Sequence, residues 1–139
     1  MNKSKCWLAL LVAGLVVNAL DFVVQGKLLT DAYYSNLAWA RQDTPVYWFI
    51  VGDFVAVGVF IWVYGKVASA FSDGAKGGAG AGFVLGVLVN FPAWEFMHLM
   101  VKDFPYALTW IDTVYGILWY VVMGAIVGAI MKKPVAASA

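Results

Sequence analysis

Four runs of the sequence, 7–29, 46–67, 79–101 and 107–131, are apolar for about 20 residues or more. That length decides the fold class. A helix rises about 1.5 Å per residue, so such a run crosses the roughly 30 Å of hydrocarbon in a bilayer. Inside hydrocarbon each backbone N–H and C=O must be bonded within its own segment, which selects the α-helix for isolated runs of this size. The connections are 30–45, the glycine-rich 68–78 and a turn around 102–106 that contains Pro105. None could form a separate soluble domain, and connections this short set successive helices antiparallel. The expectation is an all-α, integral-membrane four-helix bundle, with residues 1–139 forming one transmembrane domain.

Charge narrows the function classes. Only 12% of residues are charged, about half the share of a soluble domain, and the net charge is +1. With no basic patch, a nucleic-acid partner is excluded. Cys6 is the single cysteine and His98 the single histidine, so there is no internal disulfide and no zinc-ligand spacing. Cys6 reads as a small membrane-interface residue, with lipidation as the alternative. Lys3 and Lys5, the apolar run and Val17-Asn18-Ala19 imitate a signal peptide. The apolar pattern continues past Ala19 to Leu29, so the segment is read as the first span.

Orientation follows from the cations near the span ends, since Lys and Arg are retained on the cytoplasmic side. Lys3, Lys5, Lys66, Lys76, Lys132 and Lys133 fall on one face, against Lys27, Arg41 and Lys102 on the other. Both termini are therefore expected in the cytoplasm. The opposite face carries Tyr33, Tyr34, Trp39, Tyr47 and Trp48, which read as an interfacial belt or a helix lying on the surface.

The two halves align at one offset. Gly14-Leu15-Val16-Val17-Asn18 falls on Gly86-Val87-Leu88-Val89-Asn90, with Asp31 on Asp103 and Tyr34 on Tyr106. A duplicated helix hairpin explains this, and chance agreement among common membrane residues is the competing explanation. Along the third span Gly78, Gly82 and Gly86 recur every fourth residue, as do Gly124 and Gly128 in the fourth. Small residues at that spacing let helix backbones approach closely, so these glycines are read as packing positions.

Polar residues interrupt the spans: Asn18, Asp21 and Gln25 in the first, Asp53 in the second, Asn90, Glu95 and His98 in the third, Asp112 in the fourth. By depth the acids all fall in the outer half. Asn18, Asp21 and Gln25 share one helix face, as do Asn90, Trp94 and His98. Four readings stay open. A metal site would use Glu95 and His98, spaced as in carboxylate-bridged bundles, with Asp21, Asp53 or Asp112 as further ligands. His98 alone could be the axial ligand of a haem or a chlorophyll pigment. A proton or ion route would run through Asp21, Glu95 and Asp53, though no acid continues it inward. A structural network would pair Asn18 with Asn90 and cap the acids with Lys27, Tyr115 or backbone. Trp94 and Trp119, away from the span ends, are placed to face a ligand, a lipid or another subunit.

No catalytic set is recognisable. The glycine-rich 74–82 lacks the Walker lysine and hydroxyl residue, and there is no Gly-x-Ser-x-Gly elbow or cysteine–histidine pair. The late asparagines of spans one and three, Ile111-Asp112 at the entry to span four, and its close in Gly124-Ala125-Ile126-Val127-Gly128 before Lys132-Lys133 resemble small bacterial four-helix inner-membrane proteins of unknown function. The resemblance implies the topology and a bacterial inner-membrane location, and no activity. Function is then expected to be that of a non-catalytic small subunit of a larger membrane complex, an energy-transducing one being an example, contacting lipids and other subunits or itself through aromatic and glycine-rich helix faces. The alternatives are a small transporter or proton- or ion-conducting protein, and a metal- or pigment-binding protein centred on His98. A lipid, pigment or metal ion near His98 is the cofactor expectation.

Overall fold

A computed structural model describes residues 2–41, 43 and 45–132, and it is all-helical. Helix α1 spans Lys3–Ala32, α2 Val46–Val67, α3 Gly74–Met100 and α4 Tyr106–Met131. All four are long and apolar enough to cross a membrane. Local chemistry sets their starts. The Asn2 side chain accepts from the Ser4 N–H at 3.0 Å and caps α1. Pro45 and Pro105 stand in extended conformation directly before α2 and α4, where a missing N–H costs nothing because the first helical donors are unpaired anyway. Between α3 and α4 the chain turns through Asp103 at φ 61°, a left-handed conformation that a short polar side chain tolerates.

The sequence places two helix boundaries differently. Helix α1 continues to Ala32, and its segment Val24–Leu29 is π-helical. Helix α3 starts at Gly74, inside the stretch expected to be a glycine-rich loop, because Gly77 and Gly78 are buried there. Tertiary contact overrides the weak helix propensity of glycine.

The contact that does so is the α3–α4 seam, the most extensive in the molecule. A methyl group built on Gly78 would stand 2.8 Å from the Gly128 Cα and would also overlap the Gly124 carbonyl. At Gly82 it would strike the Tyr120 backbone, and at Gly86 it would stand 3.0 Å from the Ile117 Cα. Gly124 and Gly128 meet α3 backbone in return. The glycine stripe therefore brings two backbones together, and in lipid that packing replaces the absent hydrophobic drive.

Helix α1 packs on α2 and on α4, whereas α3 leans on α4 and has no extensive contact with α1 or α2. The core joins Ala9, Ala13 and Val17 of α1 to Val57, Phe60 and Ile61 of α2 and to Met123 and Val127 of α4. Between α2 and α3 the bundle stays open as an apolar groove of about 230 Å³, walled by Ala56, Val59, Val63, Leu85 and Val89 over Phe60 and Tyr120. Large side chains such as Trp62, Leu88 and Leu99 are 63 to 74% exposed on the outside, as a bilayer solvent permits and water does not. At one end the Lys5 ammonium donates to the Lys132 carbonyl at 2.9 Å, so the first turn of α1 and the last of α4 meet. Lys133, counted with these cations above, lies outside the described residues.

Candidate intramembrane carboxylate site

Asp21 and Gln25 project from one face of α1 toward α4. Tyr115 of α4 donates its hydroxyl hydrogen to Asp21 Oδ1. Gln25 Nε2 donates to Asp112 Oδ1 at 2.7 Å, and the Tyr34 hydroxyl donates to Asp112 Oδ2 at 2.7 Å. Asp112 is 1% exposed, and both its oxygens are thereby satisfied, as a buried carboxylate requires. Asp53, from the second turn of α2, lies against Asp21. Its Oδ2 is buried without a hydrogen bond. The Trp119 indole, one turn on from Tyr115 in α4 and 7% exposed, also stands beside Asp21.

Three helices thus bring Asp21, Asp53 and Asp112 together with phenol, amide and indole donors. Among the described residues no cation joins them. The ion pair among the described residues is Arg41 with Asp43, both exposed in the connection after α1. Lys27, expected as a cap, instead stands 5.5 Å over the Phe22 ring.

The π-helical stretch helps to aim this site. Gln25 lies in it, and the Thr30 hydroxyl holds the Gln25 carbonyl at 2.7 Å. Beyond it the short 3₁₀ turn Tyr34–Asn36 swings Tyr34 back over Asp112. Tyr34 reads in sequence as a belt aromatic, and nothing in its neighbourhood marks it as a ligand of an acid 78 residues away. Its burial and the neighbouring Asp112 carboxylate both push the phenol above its ordinary pKa of 10.0, so it remains a donor at neutral pH.

The remaining candidates go elsewhere. Asn18 and Asn90 do not pair across the bundle: each amide donates to the carbonyl four residues earlier in its own helix, Asn18 to Gly14 at 2.8 Å and Asn90 to Gly86 at 2.9 Å. The Asn90 side chain also fills the space beside Gly116. Glu95 is half-buried on α3 and forms no ion pair among the described residues. His98 Nδ1 lies 3.2 Å from the Phe104 carbonyl, and its ring packs on Tyr106 at 5.2 Å between centroids. Phe104 stacks in turn on Trp39 and touches Trp94, so an aromatic cluster closes this end of the α3–α4 pair.

A joint metal set of Glu95, His98 and the aspartates is consequently not assembled. No group of three or more Asp, Glu, His or Cys among the described residues could hold a metal ion. The reason is the packing: α3 meets α4 along its glycine seam, while the aspartates occupy the side where α4 meets α1 and α2. Trp119 likewise faces the interior and not lipid or a partner.

No protein-family profile, curated protein or solved structure matches the chain. Two adjacent carboxylates, one hydrogen-bonded to a phenol and neither beside a cation among the described residues, can hold and exchange a proton.

Proposed function

We propose that the chain is a small proton-binding membrane protein of the transporter or channel-like class, with Asp21 and Asp53 as the pair that takes and releases the proton. One observation carries this reading: carboxylates from three helices meet inside the bundle with hydrogen-bond donors and, among the described residues, no cationic side chain. Two full charges held side by side repel each other, the more strongly where bulk water is displaced. A shared proton relieves that cost, and the pair then titrates as a unit.

On the inner side the site meets Ala13, Val17, Val57 and Met123, all fully buried and apolar. The proton therefore enters from the end bearing the α1–α2 connection, and onward passage needs a rearrangement. By the positive-inside count that end is the outer face of a bacterial inner membrane, with both termini cytoplasmic. The matching amide bonds of Asn18 and Asn90 support a duplicated hairpin as the origin of the fold.

The test is proton uptake into liposomes that hold a trapped pH-sensitive dye and the reconstituted chain. The double variant Asp21→Asn, Asp53→Asn should slow uptake at least about tenfold, the ordinary scale for losing a positioned proton-transfer group. Uptake at the native rate in that variant removes the proposal.

The open groove favours a second reading, a small subunit of a larger assembly whose partner helix closes the α2–α3 gap. Gly52 has nothing within 4 Å of its Cβ position and precedes Ala56 of the groove wall by one turn, a small-residue face suited to helix contact. Purification from native membrane in mild detergent should then yield partners at fixed stoichiometry. A stable monomer would exclude it.

A further inference from the structure

We infer that the segment from the π-helical Val24–Leu29 to the 3₁₀ turn Tyr34–Asn36 is a hinged strap, and that it closes the mouth of the Asp21–Asp53 site by holding Asp112 through Gln25 and Tyr34. The inference rests on the proton-binding reading and adds the control of access to it. Gln25 and Tyr34 lie nine positions apart in sequence yet grip the two oxygens of one carboxylate. Asp112 is fixed on α4, which the glycine seam locks to α3, so a change in this contact has to come from the strap.

The π-helical register gives it two discrete positions. Such segments are rare, well under 1% of residues, and act as single-residue insertions in an α-helix. Relaxation to α-helical hydrogen bonding shifts everything beyond by one residue, about 100° around the axis and 1.5 Å along it. Tyr34 would then leave Asp112. The closed register is held by the two bonds to Asp112, by the Thr30 hydroxyl on the Gln25 carbonyl, and by buried Leu29. Beyond the strap, Trp39 stacks on Phe104 at 5.5 Å and tethers the connection to the α3–α4 turn. A gate needs two packed states separated by a few such contacts.

Access can be read without any proton measurement. In a Cys6→Ala background, Asp53→Cys places the only thiol of the chain at the site, and the reconstituted protein is treated with a small membrane-impermeant thiosulfonate. Adding Tyr34→Phe removes one strap bond to a carboxylate and should raise the labelling rate about tenfold or more. Equal rates overturn the strap. The unaltered chain gives a second measurement that needs no variant. Amides of 24–36 should exchange with deuterated water well before those of 106–120, and equal protection of the two stretches overturns it as well. Faster labelling in a chain whose native form takes up no proton would keep the strap and sink the proton reading. Native proton uptake with unchanged labelling would do the reverse.

Discussion

Replacing Gly78 by alanine tests the feature on which the whole arrangement depends, because α3 is held by α4 and little else. The added methyl would stand 2.8 Å from the Gly128 Cα, where carbon atoms prefer about 3.5–4.0 Å. The obstacle is backbone, so no rotamer change can absorb it, and the helices must part by about 1 Å. A gap of that size forfeits a quarter to a half of each dispersion contact it opens, and the same separation is imposed at Gly82, Gly86 and Gly124. The expected loss is about 2 kcal/mol, within the 1–3 kcal/mol typical of overpacking, or roughly a 30-fold shift toward the unfolded form. Gly52→Ala is the control. Its Cβ position is open, so the better helix propensity of alanine should stabilise α2 by up to about 1 kcal/mol. The two variants must move in opposite directions in a denaturing-detergent titration followed by circular dichroism. If Gly78→Ala is as stable as Gly52→Ala, the backbone seam is not the principal attachment of α3.

Three further outcomes follow from the site. Tyr115→Phe removes the donor to Asp21 and leaves a half-buried carboxylate short of a partner, so stability in the same titration should fall by about 1 kcal/mol; no change would place the phenol outside the network. Asn18→Leu should alter stability by less than about 0.5 kcal/mol, since the amide serves only a carbonyl of its own helix, and a loss near 2 kcal/mol would restore a cross-bundle partner. For Tyr34 the folded pKa lies above the unfolded value of 10.0, and the neutral phenol is the form that bonds Asp112. Its contribution is complete below pH 10 and is lost as pH climbs through the raised value. Spectrophotometric titration should therefore show Tyr34→Phe removing no phenolate absorbance below about pH 11. Loss of one tyrosine's amplitude in that range would show the hydroxyl to be solvated.

The spans were legible because apolar length is a direct consequence of bilayer thickness, and 46–67 coincides with α2 residue for residue. The start of α3 was not, since Gly74 to Gly78 look like a loop to any local criterion and become helical only against α4. The convergence of Asp21, Asp53 and Asp112 could be anticipated from depth and helix face. The exclusion of Glu95 and His98 could not, because depth says nothing about which helices touch. Asn18 and Asn90 failed for a different reason: whether a buried amide serves its own backbone or a neighbour is a rotamer choice that sequence does not record. Tyr34 was hidden twice, by lying in a connection and by reaching Asp112 only through a π-helical register that no pattern of apolar residues encodes.

That hidden register gives the division of the molecule a physical sense. Helices α3 and α4 touch backbone to backbone at Gly78, Gly82, Gly124 and Gly128, where no side chain lies between them to repack, so this stretch of the pair acts as a rigid wall. Helix α1 touches the same wall through hydrogen bonds at Asp21 and Gln25 and through small side chains such as Ala13 and Val17. Hydrogen bonds can be exchanged for bonds to water at a net cost of about 1 kcal/mol each, whereas a glycine seam has no alternative partner of equal fit. Motion should therefore concentrate at the end of α1 that carries the carboxylate contacts. A disulfide placed across the α3–α4 seam would then leave proton uptake at its native rate, while one joining the strap to α4 would stop it. The opposite result in the same liposome assay would mean that α3, swinging across the open groove, is the moving part.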